Sequence, residues 1–416
     1  MHMKKRLNSL IRMAAVAVLG SGMTVTSLAG QDLNSEQLLR ELRALRDTVA
    51  AQQKVIESLQ TKVESSIVAQ RTMKSELTEE FKQTFASQQP ESGVAADSWF
   101  NKVEMYGLMH GSLDVLDDGT HLSGNSSRIG FRGDEWIEGD LSAVWQVEIS
   151  ISLDEGGANT NFNLRDTFVG FNDSNYGSLL FGRMDSAFER LHRWTDFFDS
   201  QIGDSRNILG FAPGSIGFDR REDNSIKYIS PDMGGLTTML TYSTPEGEQS
   251  DSTLAANLAY RNDGGLLLAA GVDVHGEGNH VAGPEKEFGY RLVGSYEWER
   301  LKVSAIVEYL DNLAGVDGDD RTSGGFGAAF KVSDKNTLKG QIRHTGGVGD
   351  DRESTGYALG LDHSLTERTR LYFAYALTTN ESLASNGVTG GGHGVTVTPN
   401  AGEDSSGVSF GIVHGW

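Results

Sequence analysis

From Trp99 to the C-terminus, apolar residues recur at every second position, in about sixteen separate segments. Leu141, Ala143, Trp145, Val147, Ile149, Ile151 and Leu153 alternate with Ser142, Gln146, Glu148, Ser150 and Ser152, with Val144 the exception. Phe288, Tyr290, Leu292, Gly294, Tyr296 and Trp298 alternate in the same way with Arg291, Ser295 and Glu297. Successive side chains of a strand point to opposite faces, so each segment has one apolar and one polar face. A soluble sheet would bury its apolar face against a second layer. Here nearly every segment carries its own full apolar row, with aromatic residues towards the ends (Tyr106, Trp136, Tyr290, Trp298, Tyr309, Tyr372, Tyr375). Rows of that kind need a lipid-sized apolar surface around a whole circumference, with water inside. The pattern predicts an all-β domain over residues 102–416: a 16-stranded antiparallel transmembrane β-barrel.

The spacing supports that size, since roughly 320 residues over sixteen strands leave about twenty per strand and connection. Tight connections such as Glu299-Arg300 and Asp334-Lys335-Asn336 contrast with long Gly/Asp-rich ones at 311–322, 346–353 and 379–404. The hydrophobic fraction is only 38%, and no run of ~20 apolar residues occurs beyond the extreme N-terminus, which excludes a helical membrane protein. A barrel tolerates the low value because half of each strand is polar. Residues 97–416 carry 24 basic and 47 acidic side chains, a balance that argues against nucleic acid as a partner.

Enzymatic chemistry finds no support. The chain has no cysteine, which removes thiol nucleophiles and thiolate metal sites. Its ten histidines lack metal-binding spacing, so no metal and no cofactor are expected. Gly407-Val408-Ser409-Phe410-Gly411 matches a nucleophile-elbow pattern, but no helix can follow it so close to the chain end. Asp117-Asp118 and Asp317-Gly318-Asp319-Asp320 are read as solvated loop clusters rather than Ca²⁺ or lipopolysaccharide-bridging sites.

Residues 1–29 have the anatomy of a signal peptide. Lys4, Lys5, Arg6 and Arg12 precede the apolar Met13–Leu19 run, and Ser27-Leu28-Ala29 supplies small residues for cleavage. Over residues 30–90 apolar residues recur with period seven. Leu42, Val49, Ile56, Val63 and Leu77 fall on one seam, and Leu38, Leu45, Leu59 and Met73 on the other. That repeat predicts an α-helical coiled-coil stalk in the periplasm, ended by Pro90 and followed by a linker at 91–101.

Met105-Tyr106-Gly107, Asn125-Ser126-Ser127-Arg128-Ile129-Gly130-Phe131-Arg132-Gly133 and Ala143-Val144-Trp145-Gln146-Val147-Glu148 resemble the opening of general Gram-negative trimeric porins. Arg165–Phe171, Gly177–Arg183 and Ser225–Pro231 continue the likeness in order, and His414-Gly415-Trp416 resembles the usual His-x-Phe terminus with Trp in place of Phe. The resemblance covers 102–416; the stalk departs from the commonest members. It implies an outer-membrane homotrimer in contact with lipid and lipopolysaccharide, and a water-filled channel for passive diffusion of ions and small hydrophilic solutes. It also implies a C-terminal assembly signal at Phe410, Ile412, His414 and Trp416, and a third loop folded into the lumen. Alternative roles are a substrate-selective channel, or a structural protein whose coiled coil tethers the membrane to peptidoglycan.

The residues offer such a loop independently. Asp185 to Asp223 is the longest stretch without alternation, and Phe188, Leu191, Trp194 and Phe198 recur at helical spacing within it. It carries Asp185, Glu189, Asp196, Asp199 and Asp204 as a candidate acidic side of a pore constriction. Arg128, Arg132, Arg165, Arg183 and Lys227, inward by alternation, form the candidate basic wall. Opposed rows would set a transverse field across a narrow opening. The surplus of carboxylates predicts a mild cation preference.

Overall fold

The computed structural model describes residues 54, 103–154, 163–210, 215, 217–245, 252–277, 283–346 and 351–416. The signal peptide, coiled coil and linker assigned from sequence lie outside the described residues, Lys54 apart.

Seventeen strand segments follow in order: β1 (Val103–Leu116), β2 (Gly119–Gly124), β3 (Arg128–Glu138), β4 (Leu141–Ser150), β5 (Thr167–Asp173), β6 (Gly177–Asp185), β7 (Arg221–Ile229), β8 (Leu236–Ser243), β9 (Thr253–Arg261), β10 (Leu266–His275), β11 (Glu287–Trp298), β12 (Leu301–Asp311), β13 (Arg321–Lys331), β14 (Asn336–Gly346), β15 (Ser354–Ser364), β16 (Thr369–Asn380) and β17 (Ser405–Gly415). Each pairs antiparallel with its neighbours, and β17 returns to β1 from Leu108↔Gly415 to Leu116↔Gly407, which closes the sheet. β2 and β3 both pair with β1, at Gly111–Leu116 and Val103–Leu108 respectively. They are two halves of one wall strand, broken at Asn125–Ser127 where Ser126 adopts φ 48°. The wall therefore has sixteen strands, as the alternation predicts. Closure leaves no sheet edge with unpaired backbone groups.

The burial is that of a soluble protein turned inside out. Leu292, Val307, Phe326 and Leu359 are 55–68% exposed, whereas Arg291 and Glu308, on the opposite face of β11 and β12, are 2% and 0% exposed. Leaving those four apolar side chains in water would forgo about 6–12 kcal/mol of burial, so only a lipid surround makes the outer face stable. Trp136, Tyr290, Trp298, Tyr309 and Tyr375 belong to the outer face. Tyr106 and Tyr372 do not. Each shares an inward row, lies across a facing glycine (Gly130 and Gly411), and bonds a polar partner: Tyr106 Oη donates to Glu148 Oε2 at 3.0 Å, and Tyr372 Oη meets His110 Nε2 at 2.9 Å. A phenol can serve either face; its neighbours at the same parity, here Ala374 and Ala376, decide.

Short turns gather at one end. Two of them, Gly139-Asp140 and Glu299-Arg300, have only two residues, with Gly139 at φ 56° and Glu299 at φ 49° as a two-residue hairpin requires. The connections at the other end are numbered here L1 to L8, from 117–118 to 381–404. L3 spans 186–220 and L8 spans 381–404. L3 holds a short helix, α1 (Glu189–Arg193), and a 3₁₀ turn at Ser205–Asn207.

Candidate functional site: the lumen and its inward loops

L3 lies against the inner wall because its apolar side chains fill sockets where the wall has no side chain. A Cβ at Gly271 would stand 2.6 Å from Leu191, one at Gly289 2.6 Å from Phe218, one at Gly327 2.7 Å from Phe197 and one at Gly360 2.9 Å from Phe198. Between these sockets the inward rows carry Ala255, Ala259, Ala269, Ala358, Ala374 and Ala376, all buried. Phe188 and Leu191, one helical turn apart, are fully buried on that track, as their spacing predicts. The side of α1 away from them faces the lumen.

The acidic residues of the loop behave differently from the sequence-based expectation. Asp185 is buried between Arg193 (2.9 Å) and Arg221 (2.8 Å), and Glu189 is buried against Arg193. Asp204 is fully buried: it caps the 3₁₀ turn by accepting from Arg206 N, also accepts from Ser200 N at 2.7 Å, and pairs with the Arg206 guanidinium at 2.6 Å. These three carboxylates hold L3 and its stem at the end of β6, and do not line the opening. Asp196 and Asp199 do line it. Asp196 accepts from Ser205 N and Gln341 Nε2, and Asp199, half exposed, pairs with Arg206 at 2.7 Å.

The basic set divides as well. Arg128 reaches the lumen, 3.6 Å from Glu148. Arg165 is held by Glu148 at 2.6 Å, and Lys227 is buried beneath L3, donating to the Asp185 carbonyl. Arg132 faces inward near the turn end, paired with Glu104 at 2.6 Å over the Tyr106 ring. Arg183 corrects the expectation: it shares its face with the exposed Leu179 and Phe181 and pairs with Asp223. Leu179, Leu180 and Phe181 are all apolar, so alternation in β6 fixes no parity; Leu180 faces inward, and a register shift follows between Gly182 and Met184. Phe410, Ile412 and His414 are exposed and Trp416 half-exposed, with the Trp416 ring lying across Gly107.

The strongest anchor was not among the expected residues. Arg291 on β11 donates to both Asp219 oxygens (2.6 and 3.0 Å) and from Nε to Glu308 of β12 (2.9 Å). His192 of α1 meets Asp219 at 3.1 Å, and Glu308 accepts from Gly210 N at 2.8 Å. Both ends of L3 are thus tied to one buried guanidinium. A charged residue on an otherwise regular inward row, Arg291 and Glu308 here, was the available signal. Lys302, Lys339 and Arg370 on β12, β14 and β16 belong to the same class.

Three of the titrating groups of L3 bear on how it is seated. Burial raises the Asp219 carboxyl, but Arg291 and His192 more than reverse this and hold it far below the usual carboxylate range. Burial lowers His192, and the Asp219 charge overrides that to leave the imidazole above its ordinary value. Burial pushes Asp204 up to about 6 against the opposing pull of Arg206. A raised His192 contributes stability below its ordinary value of about 6.5 and loses it as pH rises through the folded value. A raised Asp204 holds its proton longer folded than unfolded, so the seat weakens from about pH 4 to about 6. Hydrogen exchange of L3 amides, corrected for intrinsic rate, is therefore expected to be slower at pH 5 than at pH 8. Asp204→Asn should flatten the part of the change below pH 6. An L3 that loosens on acidification over that range refutes this assignment.

Two large cavities lie in the lumen among the described residues. The turn-end cavity, about 990 Å³, is lined by eight basic and six acidic side chains among the described residues, including Arg128, Lys302, Lys339, Arg370, Asp196 and Asp199. Among the described residues the loop-end cavity, about 860 Å³, has Arg206, Arg321 and Arg352 against Asp219, which Arg291 and His192 neutralise. Such a closed barrel with polar cavities along its axis and an inward loop is a passage for solutes.

A family model described as Gram-negative porin matches residues 91–383, well over half of the chain. The chain is a Gram-negative porin. Outer membrane porin protein 32 of Delftia acidovorans is 27% identical to it over 339 residues, 76% of this chain and 94% of the relative. Among solved structures, the anion-selective porin from Comamonas acidovorans matches with a TM-score of 0.67 at 24% identity, covering 76% of this chain and 99% of that one. OmpT of Vibrio cholerae, in a trimer form, matches with a TM-score of 0.57 at 17% identity, covering 76% and 99%. At those identities the two structures share the fold. This porin is an outer-membrane channel and not an enzyme. Its elbow-like Ser409 sits mid-strand in β17, not on the strand-to-helix turn that such a nucleophile needs, and donates to Asp114 at 2.6 Å.

Proposed function

We propose that this porin passes small hydrophilic solutes by diffusion with a preference for anions, through a homotrimer. The observation that carries the preference is the lining. Among the described residues basic side chains outnumber acidic ones in both cavities, although acidic residues outnumber basic ones two to one over residues 97–416. The cation preference expected from overall charge assumed that the loop carboxylates face the opening. Asp185, Glu189 and Asp204 are instead paired in L3 and at its stem, while Lys302 and Arg370 have no carboxylate in ion-pair range among the described residues. Charge within a low-dielectric tube acts over the whole passage, whereas charge on outer loops is screened within about 8–10 Å. The Comamonas relative, described as anion-selective, is consistent with this reading.

A zero-current potential across planar bilayers under a salt gradient tests it: the parent is expected on the anion side of zero. The double variant Lys302→Glu, Arg370→Glu should move the permeability ratio several-fold towards cations at unchanged trimer yield. A parent potential on the cation side rejects the preference and leaves the channel intact.

The trimer form described for the Vibrio relative supports three-fold assembly, for which three equal closing steps in single-molecule records are the readout. On this reading the chain is exported by residues 1–29, and residues 30–90 form a stalk in the periplasm. Lipid covers the aromatic-bordered outer face, with lipopolysaccharide around the loop end and Phe410, Ile412, His414 and Trp416 as the assembly signal. Should the stalk instead tether the membrane to peptidoglycan, its deletion would weaken the envelope without changing conductance.

A further inference from the structure

L3 is not the only segment inside the barrel. L8, 24 residues between β16 and β17, turns inward and lies on L3. Gly203 N donates to Val388 O and Asn207 Nδ2 to Gly387 O, each at 2.7 Å, so the two loops are joined backbone to backbone and side chain to backbone. Val388 is fully buried with Phe198 and Ile202 of L3 and Leu116 of the wall, and Val395 and Val397 pack around them.

On its far side L8 docks into the break between β2 and β3. Ser126 Oγ donates to Gly392 O at 2.9 Å, and Gly394 N donates to Asn125 Oδ1 at 2.8 Å. That break is otherwise a defect in a regular wall, with Ser126 in the left-handed region; the docking gives it a purpose. His393 completes the attachment. Its Nε2 stands 3.3 Å from Asp114 of β1, and both side chains are fully buried.

The sequence Thr389-Gly390-Gly391-Gly392-His393-Gly394 is suited to this place. A Cβ at Gly390 would stand 2.8 Å from Asn207 N, and one at Gly392 2.7 Å from both Ser126 Oγ and Ser200 Oγ. Side chains there would push L8 off L3 or off the wall. The consequence for the passage is direct. The turn-end and loop-end cavities share no lining residue among those described, and most of the loop-end cavity is lined by L8. The joined L3–L8 layer stands between them.

We propose that L8 is a second constriction loop: seated on L3 and on the Asn125–Ser127 break, and positioned by His393 against Asp114, it sets the width of the opening jointly with L3. A hydrated solute then passes between two loops that are fixed to each other, and the size limit depends on both.

The test uses the full chain with residues 387–395 replaced by a short Gly/Ser link. Single-channel conductance in planar bilayers is expected to rise at least twofold, and liposome swelling should admit larger neutral oligosaccharides than the parent does. A folded, heat-modifiable barrel with parental conductance and parental size limit overturns the proposal. Should that variant fail to assemble, His393→Ala and His393→Gln decide. Alanine releases the latch at full loop length, so open-level noise and mean conductance should both increase. Glutamine brings an amide donor to Asp114 and should restore quiet, parental openings. Equal behaviour of His393→Ala and the parent in both readouts overturns the positioning role.

Discussion

Arg291→Ala is expected to unseat L3 and to lower the stability of the folded barrel by about 3–5 kcal/mol, the usual loss when one partner of a buried ion pair is removed. The guanidinium is fully buried and satisfies three carboxylate oxygens belonging to Asp219 and Glu308. Without it, Asp219 keeps only His192 as an ion-pair partner among the described residues, and Glu308 is left to the charge of Arg321. The wall strands remain fully hydrogen-bonded, so a barrel should still form. The loss should therefore divide between a lower urea midpoint in liposomes and a fluctuating, on average larger conductance as L3 leaves the lumen. Arg291→Lys retains the charge but not the planar fork that reaches both partners, and should recover only part of either quantity. An Arg291→Ala channel with parental noise and midpoint would mean that the glycine sockets suffice to hold the loop.

The barrel was legible in the sequence because the lipid leaves no freedom at the positions that face it. Leu292, Val307 and Phe373 must be apolar whatever the pore does, and period two records that demand strand after strand. The inward loop was legible too, as a break in the period with Phe188 and Leu191 at helical spacing. The destinations of its charges were not. A carboxylate in a loop selects its partner in three dimensions, and nothing local separates Asp199, which reaches the opening, from Asp204 five residues later, which closes a turn. Arg183 was misplaced because Leu179-Leu180-Phe181 is apolar on both parities. The inward course of L8 is not legible for a further reason. Its docking relies on glycine, serine and backbone groups, a composition it shares with any solvated loop, and its single buried histidine carries no periodic signal.

Gly289→Val tests whether the wall holds L3 by shape. A Cβ at this position would fall 2.6 Å from the Phe218 ring and 3.2 Å from Phe188, well inside contact distance, and valine adds two further methyl groups. Phe218 cannot retreat without cost, because it stacks on His275 at 4.2 Å, and Phe188 lies under the Arg291 guanidinium at the same separation. Overpacking of this kind costs about 1–3 kcal/mol in a rigid core. Here the cheaper response is for the stem of L3 to lift from β11, which breaks the Asp219–Arg291 contact as well. The expected result is a conductance increase comparable to that of Arg291→Ala, with a smaller drop in the urea midpoint because the charges become hydrated rather than stranded. Phe218→Ala alone should cost about 3–5 kcal/mol by leaving a cavity. Combined with Gly289→Val it should cost less than the sum, since the new side chain occupies the vacated space, and that coupling is the signature of a socket. Strict additivity in the double variant, or parental conductance in Gly289→Val, would show that L3 is held by its charges and that the glycine track serves only the curvature of the wall.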